Sequence, residues 1–146
     1  VVHAIHQNEV FYAWQKGGAF LNEKPIRVGG QAKLLDALIG TGFPYHKEMR
    51  METPYKILRQ LLGHCRGVRR LGSAAMDLVY TACDRLDGYY ESNLNSWDVA
   101  AGALIVKEAG GKVTDFSGGE DWLTGHNILA ANSAIHNELF KTINSV

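Results

Sequence analysis

Two hydrophobic patterns divide the chain near residue 35. Before that point, short apolar runs alternate with polar positions and are separated by turn signals such as Asn22-Glu23-Lys24-Pro25, which predicts β-hairpins. After it, short β-type runs alternate with longer segments of helical periodicity. That alternation predicts a layered α/β domain with parallel or mixed strand pairing and flanking helices. We therefore divide the chain into a β-hairpin segment at 1–34 and an α/β domain at 35–146.

The predicted elements follow from these periods. In the first segment we expect strands at 1–5, 10–14 and 19–21, with no layer covering the hairpins. In the second part the pattern predicts strands at 38–43, 68–71, 89–91, 112–115 and 128–131 and helices at 52–64, 73–83, 97–109 and 134–143, the last capped by Ser133. Because the chain opens inside an apparent strand, we expect the hairpins to complete a sheet that begins upstream.

The helix predicted at 97–109 is apolar on nearly every face, which indicates burial. It is preceded by Ser96, a residue type that often caps a helix, and it carries Asp98 in its first turn. An ionised carboxylate that leaves water must be paired, hydrogen-bonded or bound to a metal. Asp98 is therefore a candidate cation ligand, although a carboxylate that only complements the helix dipole is the plainer interpretation. A polar loop places Glu91 and Asp98 at the carboxyl edge of the sheet, where open α/β sheets bind ligands.

A second turn from strand to helix is formed by Gly72-Ser73-Ala74-Ala75. Small residues at this point allow a ligand to approach the free backbone N–H groups of the helix, which suit phosphate or polyol oxygens. An ordinary serine cap followed by small packing residues explains the same motif without a ligand.

Composition and charge exclude several classes of function. Fifteen basic and fifteen acidic residues give zero formal net charge, which argues against general nucleic-acid or membrane-surface binding. No apolar run approaches the roughly 18 residues of a membrane span, and the first residues do not resemble a signal peptide. Cys65 and Cys83 lack metal-ligand spacing, so we expect reduced thiols in a cytoplasmic protein.

Two further groups of polar residues offer weaker candidates for a metal site. Asp84 and Asp87 lie three apart, but a helix end followed by an Asp-Gly turn explains them better. His3 and His6 lie three apart on a predicted strand and hence on opposite faces, which argues against a shared metal. We assign no function to these residues.

Several motifs, in order, resemble the inositol monophosphatase family over essentially the whole chain. They are Gly18-Ala19-Phe20-Leu21-Asn22, Thr41-Gly42-Phe43-Pro44-Tyr45, Arg69-Arg70-Leu71-Gly72-Ser73-Ala74-Ala75, Asp87-Gly88-Tyr89-Tyr90-Glu91, Trp97-Asp98-Val99-Ala100-Ala101-Gly102, Glu108-Ala109-Gly110-Gly111 and Thr114-Asp115-Phe116-Ser117-Gly118-Gly119. The resemblance implies an αβαβα sandwich to which the hairpins belong, and a homodimer. Arg69 could serve a dimer contact or a surface ion pair.

The resemblance also implies chemistry. Family members hydrolyse phosphate monoesters with Mg²⁺, which activates water and stabilises the charge that develops in phosphoryl transfer. By resemblance, Asp98 is a metal ligand, Glu91 accepts hydrogen bonds from substrate hydroxyls, and Gly72, Ser73 and Ala74 line the substrate pocket. The resemblance assigns no catalytic residue in this chain.

The sequence departs from the family pattern in one respect. The other metal ligands of the family lie in an upstream Glu-Glu motif and an Asp-Pro-Leu-Asp-Gly-Thr-like motif, and neither occurs here. The chain thus resembles the C-terminal half of such an enzyme, and we expect it to be inactive or nearly so alone, with an exposed first sheet that promotes association or instability. Sugar bisphosphatases, nucleoside 3',5'-bisphosphate nucleotidases and a non-catalytic interaction module remain alternatives to an inositol phosphatase.

Overall fold

The computed structural model describes residues 1–43 and 52–146. These residues form two β-sheets and four α-helices in the order that the hydrophobic pattern predicts, except that a further strand includes Lys24 and Pro25, which the pattern had placed in a turn. The strands are β1 (Val2–Ala4), β2 (Glu9–Trp14), β3 (Gly18–Leu21), β4 (Lys24–Ile26), β5 (Leu38–Thr41), β6 (Gly67–Arg69), β7 (Gly88–Ser92), β8 (Lys112–Thr114) and β9 (Asn127–Ala131). The helices are α1 (Glu52–Leu62), α2 (Ala74–Ala82), α3 (Ser96–Glu108) and α4 (Ser133–Ile143).

The first sheet is an antiparallel meander in the order β1-β2-β3-β4. One face carries Ala4, Phe11 and Ala19, which are buried in a core shared with α2 and α3. The expectation that the hairpins lack a covering layer is therefore wrong for this face, because the two helices supply one. The other face carries a stack of aromatic rings, in which the Trp14 and Phe20 ring centroids lie 5.3 Å apart. Trp14 is 55% exposed there.

The second sheet is mixed, in the order β6-β5-β7-β9-β8. Strand β5 pairs in parallel with β6 and β7, whereas β9 pairs antiparallel with β7 and β8. Helices α2 and α3 lie on one face and share a core with the first sheet, and α1 and α4 cover the other face. The predicted mixed α/β fold with flanking helices is confirmed.

Helix α3 lies in the middle of these layers, as its apolar sequence predicts. Ala103 and Val106 have no exposed surface, and Gly102 lets α2 approach so closely that a methyl group there would lie 2.6 Å from Leu78 Cβ. The helix therefore joins the two sheets through a tightly packed helix pair.

The predicted boundaries need small corrections. Asn132 rather than Ser133 caps α4, because the Asn132 side chain accepts a hydrogen bond from Ile135 N at 2.9 Å. His6 lies in a short 3₁₀ turn and not on the first strand. The strand predicted at 38–43 ends at Thr41, and its expected stop at Pro44 lies outside the described residues. No helix in the described ranges is long and apolar enough to span a membrane.

Candidate active site at the carboxyl edge of the second sheet

The parallel strands β5, β6 and β7 end at the same edge of the second sheet. Helices α2 and α3 begin at this edge, directly after β6 and after the loop that follows β7. Such an edge presents loops and helix N-termini to a ligand. A cavity of about 430 Å³ lies here.

The structure brings all the predicted site residues to this one cavity. Its lining includes the predicted substrate side, Gly72, Ser73 and Ala74, together with Glu91 and Asp98. The described lining also contains residues that the sequence analysis did not assign to the site: Gly42, Phe43, Arg70, Ala75, Asn93, Leu94, Asn95 and Trp97. A larger cavity of about 800 Å³ shares Glu91 with this one, and Glu91 is the one carboxylate among its described lining residues.

The turn before α2 has the local structure that its sequence predicts. Gly72 adopts φ of +93°, which favours glycine, and Ser73 caps the helix by accepting a hydrogen bond from Met76 N at 3.4 Å. Ala74 begins the helix beside the cavity. The backbone N–H groups of this first turn can therefore serve an anion or a polyol oxygen.

Asp98 has a partner within the protein, which corrects the sequence argument. Its carboxylate Oδ2 accepts a hydrogen bond from the backbone N–H of Asn95 at 2.9 Å and closes a capping box at the start of α3. Asn95, not Ser96, is the cap residue, and Asp98 is half-buried. The premise that this carboxylate needs a cation for lack of other partners is thus wrong, and the metal role of Asp98 rests on the family resemblance.

Glu91 lies at the end of β7 with part of its side chain in the cavity. The hydroxyl of Tyr89 donates a hydrogen bond of 2.5 Å to Glu91 Oε2. Burial raises the pKa of the Glu91 carboxyl, while the Tyr89 hydrogen bond and the positive charge of Arg70 oppose that rise. The site therefore holds a partly desolvated carboxylate that accepts a hydrogen bond from a buried hydroxyl of the protein.

A second buried acid, Asp77, was missed by the sequence analysis. It lies in the first turn of α2, is 1% exposed, and has no hydrogen-bond partner among the described residues for either carboxylate oxygen. Burial, and then the nearby charge of Glu91, raise its pKa to about 7, while Arg70 opposes the rise. The signal that singled out Asp98, an acid in the first turn of an apolar helix, was equally present here.

The weaker metal candidates have structural roles. Asp87 Oδ2 accepts a hydrogen bond of 2.7 Å from Leu38 N, which ties the start of β7 to the start of β5. Asp84 follows α2 with φ of +64°, as expected for a helix end. These contacts agree with the turn interpretation of both residues.

The carboxylates of the described residues do not form a complete Mg²⁺ site. Mg²⁺ requires near-octahedral oxygen coordination, and no group of three His, Cys, Asp or Glu side chains within residues 1–43 and 52–146 could hold a metal. Asp98 offers one carboxylate, part of which serves the capping box. The described residues can contribute a ligand to a metal site but do not build one alone.

The sequence as a whole matches one family model. The description of that model is "Inositol monophosphatase family", and the match covers residues 1–146. The chain belongs to the inositol monophosphatase family. That assignment agrees with the motifs that surround the cavity, from Gly72 to Asp98.

Curated relatives and a solved structure agree with this family assignment. The chain is 40% identical over 148 residues to an inositol-1-monophosphatase of Mesorhizobium japonicum, covering 98% of this chain and 54% of that protein. It is 44% identical to a putative Nus factor SuhB of Neisseria meningitidis, covering 99% and 56%. The inositol monophosphatase structure from Anabaena superposes with a TM-score of 0.96 at 37% identity, over all of this chain and 58% of that one.

The chain spans about half the length of the curated relatives that it matches.

Proposed function

We propose that the protein containing this chain is a Mg²⁺-dependent phosphate monoesterase that acts on inositol monophosphate. The observation that carries the proposal is the convergence of Glu91, Asp98 and the Gly72-Ser73-Ala74 turn on one cavity at the carboxyl edge of the sheet. Membership of the inositol monophosphatase family supports the reaction class.

Each residue has a role that its environment can support. The N–H groups at the start of α2, reached over Gly72 and Ser73, bind phosphate or polyol oxygens. Glu91 accepts hydrogen bonds from substrate hydroxyls, and Asp98 fills one ligand position of a shared metal site. Since the described residues do not complete that site, no bond-breaking step is assigned to them.

It follows that the 146-residue chain by itself is inactive or nearly so. We also propose that the protein is a cytoplasmic homodimer, as the family resemblance implies. Size-exclusion chromatography with light scattering measures the oligomeric state. A monomeric, active phosphatase would contradict the dimer without affecting the proposed reaction.

The substrate is tested with a panel of phosphate esters. Inositol 1-phosphate, a sugar bisphosphate and a nucleoside 3',5'-bisphosphate are compared by kcat/KM with Mg²⁺ present. The proposal predicts the highest value for inositol 1-phosphate. A preference for either bisphosphate would place the protein with the sugar bisphosphatases or the nucleotidases.

A second candidate is a non-catalytic interaction role, which the similarity to a putative Nus factor favours. The two roles separate in cells that lack the protein. An Asp98→Asn variant without phosphatase activity would restore normal growth if the interaction is what matters. If the Asp98→Asn variant does not restore growth and the wild type does, the result supports the enzymatic role.

A further inference from the structure

Tyr89 is buried directly beneath the carboxylate of the candidate site. It lies two residues before Glu91 on β7, so both side chains project from the same face of the strand. Tyr89 has no exposed surface, and its hydroxyl donates the 2.5 Å hydrogen bond to Glu91 Oε2. A donor–acceptor distance this short is typical of a hydroxyl that binds an ionised carboxylate.

The hydroxyl stays protonated in this environment. Burial, together with the charge of Glu91, raises the pKa of Tyr89 well above its ordinary value. Tyr89 is therefore a permanent donor near neutral pH, and Glu91 is its fixed acceptor.

Gly42 restricts the same carboxylate from the neighbouring strand. The parallel pairing of Thr41 with Tyr90 brings the residue after β5 beside Glu91. A methyl group on Gly42 would overlap the Glu91 carboxylate, so a glycine is required for the carboxylate to occupy this position. The carboxylate is thus held between a backbone without a side chain and a buried hydroxyl.

We propose that Tyr89 is a positioning residue for Glu91, whose fixed carboxylate then selects phosphate esters that carry a free hydroxyl group. The inference rests on the proposed function and deepens it, since it names the structural basis for preferring a polyol phosphate. With Oε2 engaged by Tyr89, a ligand hydroxyl is directed to Oε1. Without the Tyr89 hydroxyl the Glu91 carboxylate could rotate. Substrate binding would then have to restrict that rotation, which lowers the affinity.

The test compares two tyrosine variants on two substrates. Tyr89→Phe removes the hydroxyl and keeps the ring. Tyr90→Phe is the matched control, because Tyr90 is an adjacent buried tyrosine, 3% exposed, that packs against Phe116 in the core on the opposite face of the sheet. Both variants are made in the full-length protein that contains this chain, with Mg²⁺. The substrates are inositol 1-phosphate and p-nitrophenyl phosphate, which has no hydroxyl group on its ring.

The expected result is specific to one substrate. Tyr89→Phe lowers kcat/KM for inositol 1-phosphate by about tenfold, the size of one hydrogen bond to a charged group, mainly through KM. It leaves p-nitrophenyl phosphate unchanged, and Tyr90→Phe changes neither. An equal loss on both substrates, as a purely structural role would give, overturns the inference, and so does full activity of Tyr89→Phe on inositol 1-phosphate.

A spectroscopic measurement separates this inference from the proposed function. A slowly exchanging, far-downfield hydroxyl proton in the ¹H NMR spectrum is expected for the wild type and Tyr90→Phe, and it is lost in Tyr89→Phe and Glu91→Ala. If the wild type hydrolyses neither ester, the proposed function fails and so does the substrate selection that rests on it, whereas this proton still reports whether Tyr89 positions Glu91. Its absence from the wild type overturns the positioning role, whatever the activity.

Discussion

The Asp98 carboxylate and the Asn95 backbone N–H form a hydrogen bond of 2.9 Å that closes the first turn of α3. One side chain therefore stabilises the helix start and faces the candidate cavity at the same time. A carboxylate that the backbone already orients is well suited to be one ligand of a metal site, because metal binding then requires little further ordering of the side chain.

This relationship makes Asp98→Asn a clean test of the metal role. The asparagine oxygen can still accept the Asn95 hydrogen bond, so the capping box survives while the negative charge is lost. We expect Mg²⁺-dependent turnover of the protein that contains this chain to fall by about 100-fold or more, the scale of losing one charged contact at a reacting centre. Phosphate release at increasing Mg²⁺ measures the effect.

The matched control for this variant is Asp36→Asn. Asp36 is exposed and lies before β5, at the end of the strand away from the cavity. Its replacement should leave turnover unchanged. Wild-type activity in Asp98→Asn would end the assignment of Asp98 as a metal ligand.

Gly42→Ala should damage the site without unfolding the protein. The added methyl overlaps the Glu91 carboxylate, so the carboxylate has to leave its place and the buried Tyr89 hydroxyl loses its acceptor, which typically costs about 1–3 kcal/mol. Displaced from its position, Glu91 no longer binds substrate hydroxyls, so kcat/KM on inositol 1-phosphate falls, while Tm decreases by a few degrees and the protein stays folded.

Gly30→Ala is the control for this substitution, since a methyl group there would meet nothing within 4 Å. It should change neither activity nor Tm. If Gly42→Ala is as active as Gly30→Ala, the position of Glu91 does not matter for the reaction.

Gly102→Ala should destabilise the helix pair at the centre of the fold. A methyl group would lie 2.6 Å from Leu78 Cβ, and overpacking of this kind typically costs about 1–3 kcal/mol. The higher helix propensity of alanine offsets at most about 1 kcal/mol of this loss of stability. Urea denaturation should therefore give a lower free energy of unfolding than for Gly63→Ala, where the new methyl group meets only Gln60 O at 3.7 Å. Equal stabilities would contradict close packing of α2 against α3.

His136 should make the stability depend on pH. It is buried, its Nε2 lies 2.9 Å from Thr114 Oγ1, and burial followed by the charge of Lys112 lowers its pKa from 6.5 to about 4. Between about pH 6.5 and about pH 4, His136 binds a proton in the unfolded chain but not in the folded chain. The resulting contribution of His136 to the free energy of unfolding is complete above about pH 6.5. It is lost as the pH falls through this range, by up to about 1.4 kcal/mol per pH unit.

His136→Gln removes this titration and keeps a polar side chain at the position. The free energies of unfolding of the wild type and the variant, measured from pH 7 to pH 4, should converge as the pH falls. Parallel curves over that range would show that the histidine titrates alike in the folded and unfolded chains.

The sequence predicts the layered fold and much of the site because its strongest signals are local. The apolar run from Val99 to Val106, the small residues after Gly72 and the acid in the first turn of α3 each depend on neighbours in the chain. Asn95 and Ser96 are both good caps in adjacent positions, and only backbone geometry decides between them.

Other features of the site depend on contacts between distant segments. The need for glycine at position 42 arises only when β5 pairs with β7 and brings it against Glu91. The role of Tyr89 likewise depends on its burial under the two central helices, and Asp77 acquires its environment from the sheet rather than from its own helix. Such pairings cannot be inferred from a periodic pattern alone.

The most direct test of the account is Mg²⁺-dependent release of phosphate from inositol 1-phosphate, measured for this 146-residue chain beside the longer product of the reading frame that contains it. We expect release by the longer protein, its loss in Asp98→Asn, and little or none by the chain alone, because the described residues do not complete a metal site. The account would be contradicted if the chain alone released phosphate and kept this activity in the Asp98→Asn variant. It would also be contradicted if the longer protein released no phosphate from this substrate.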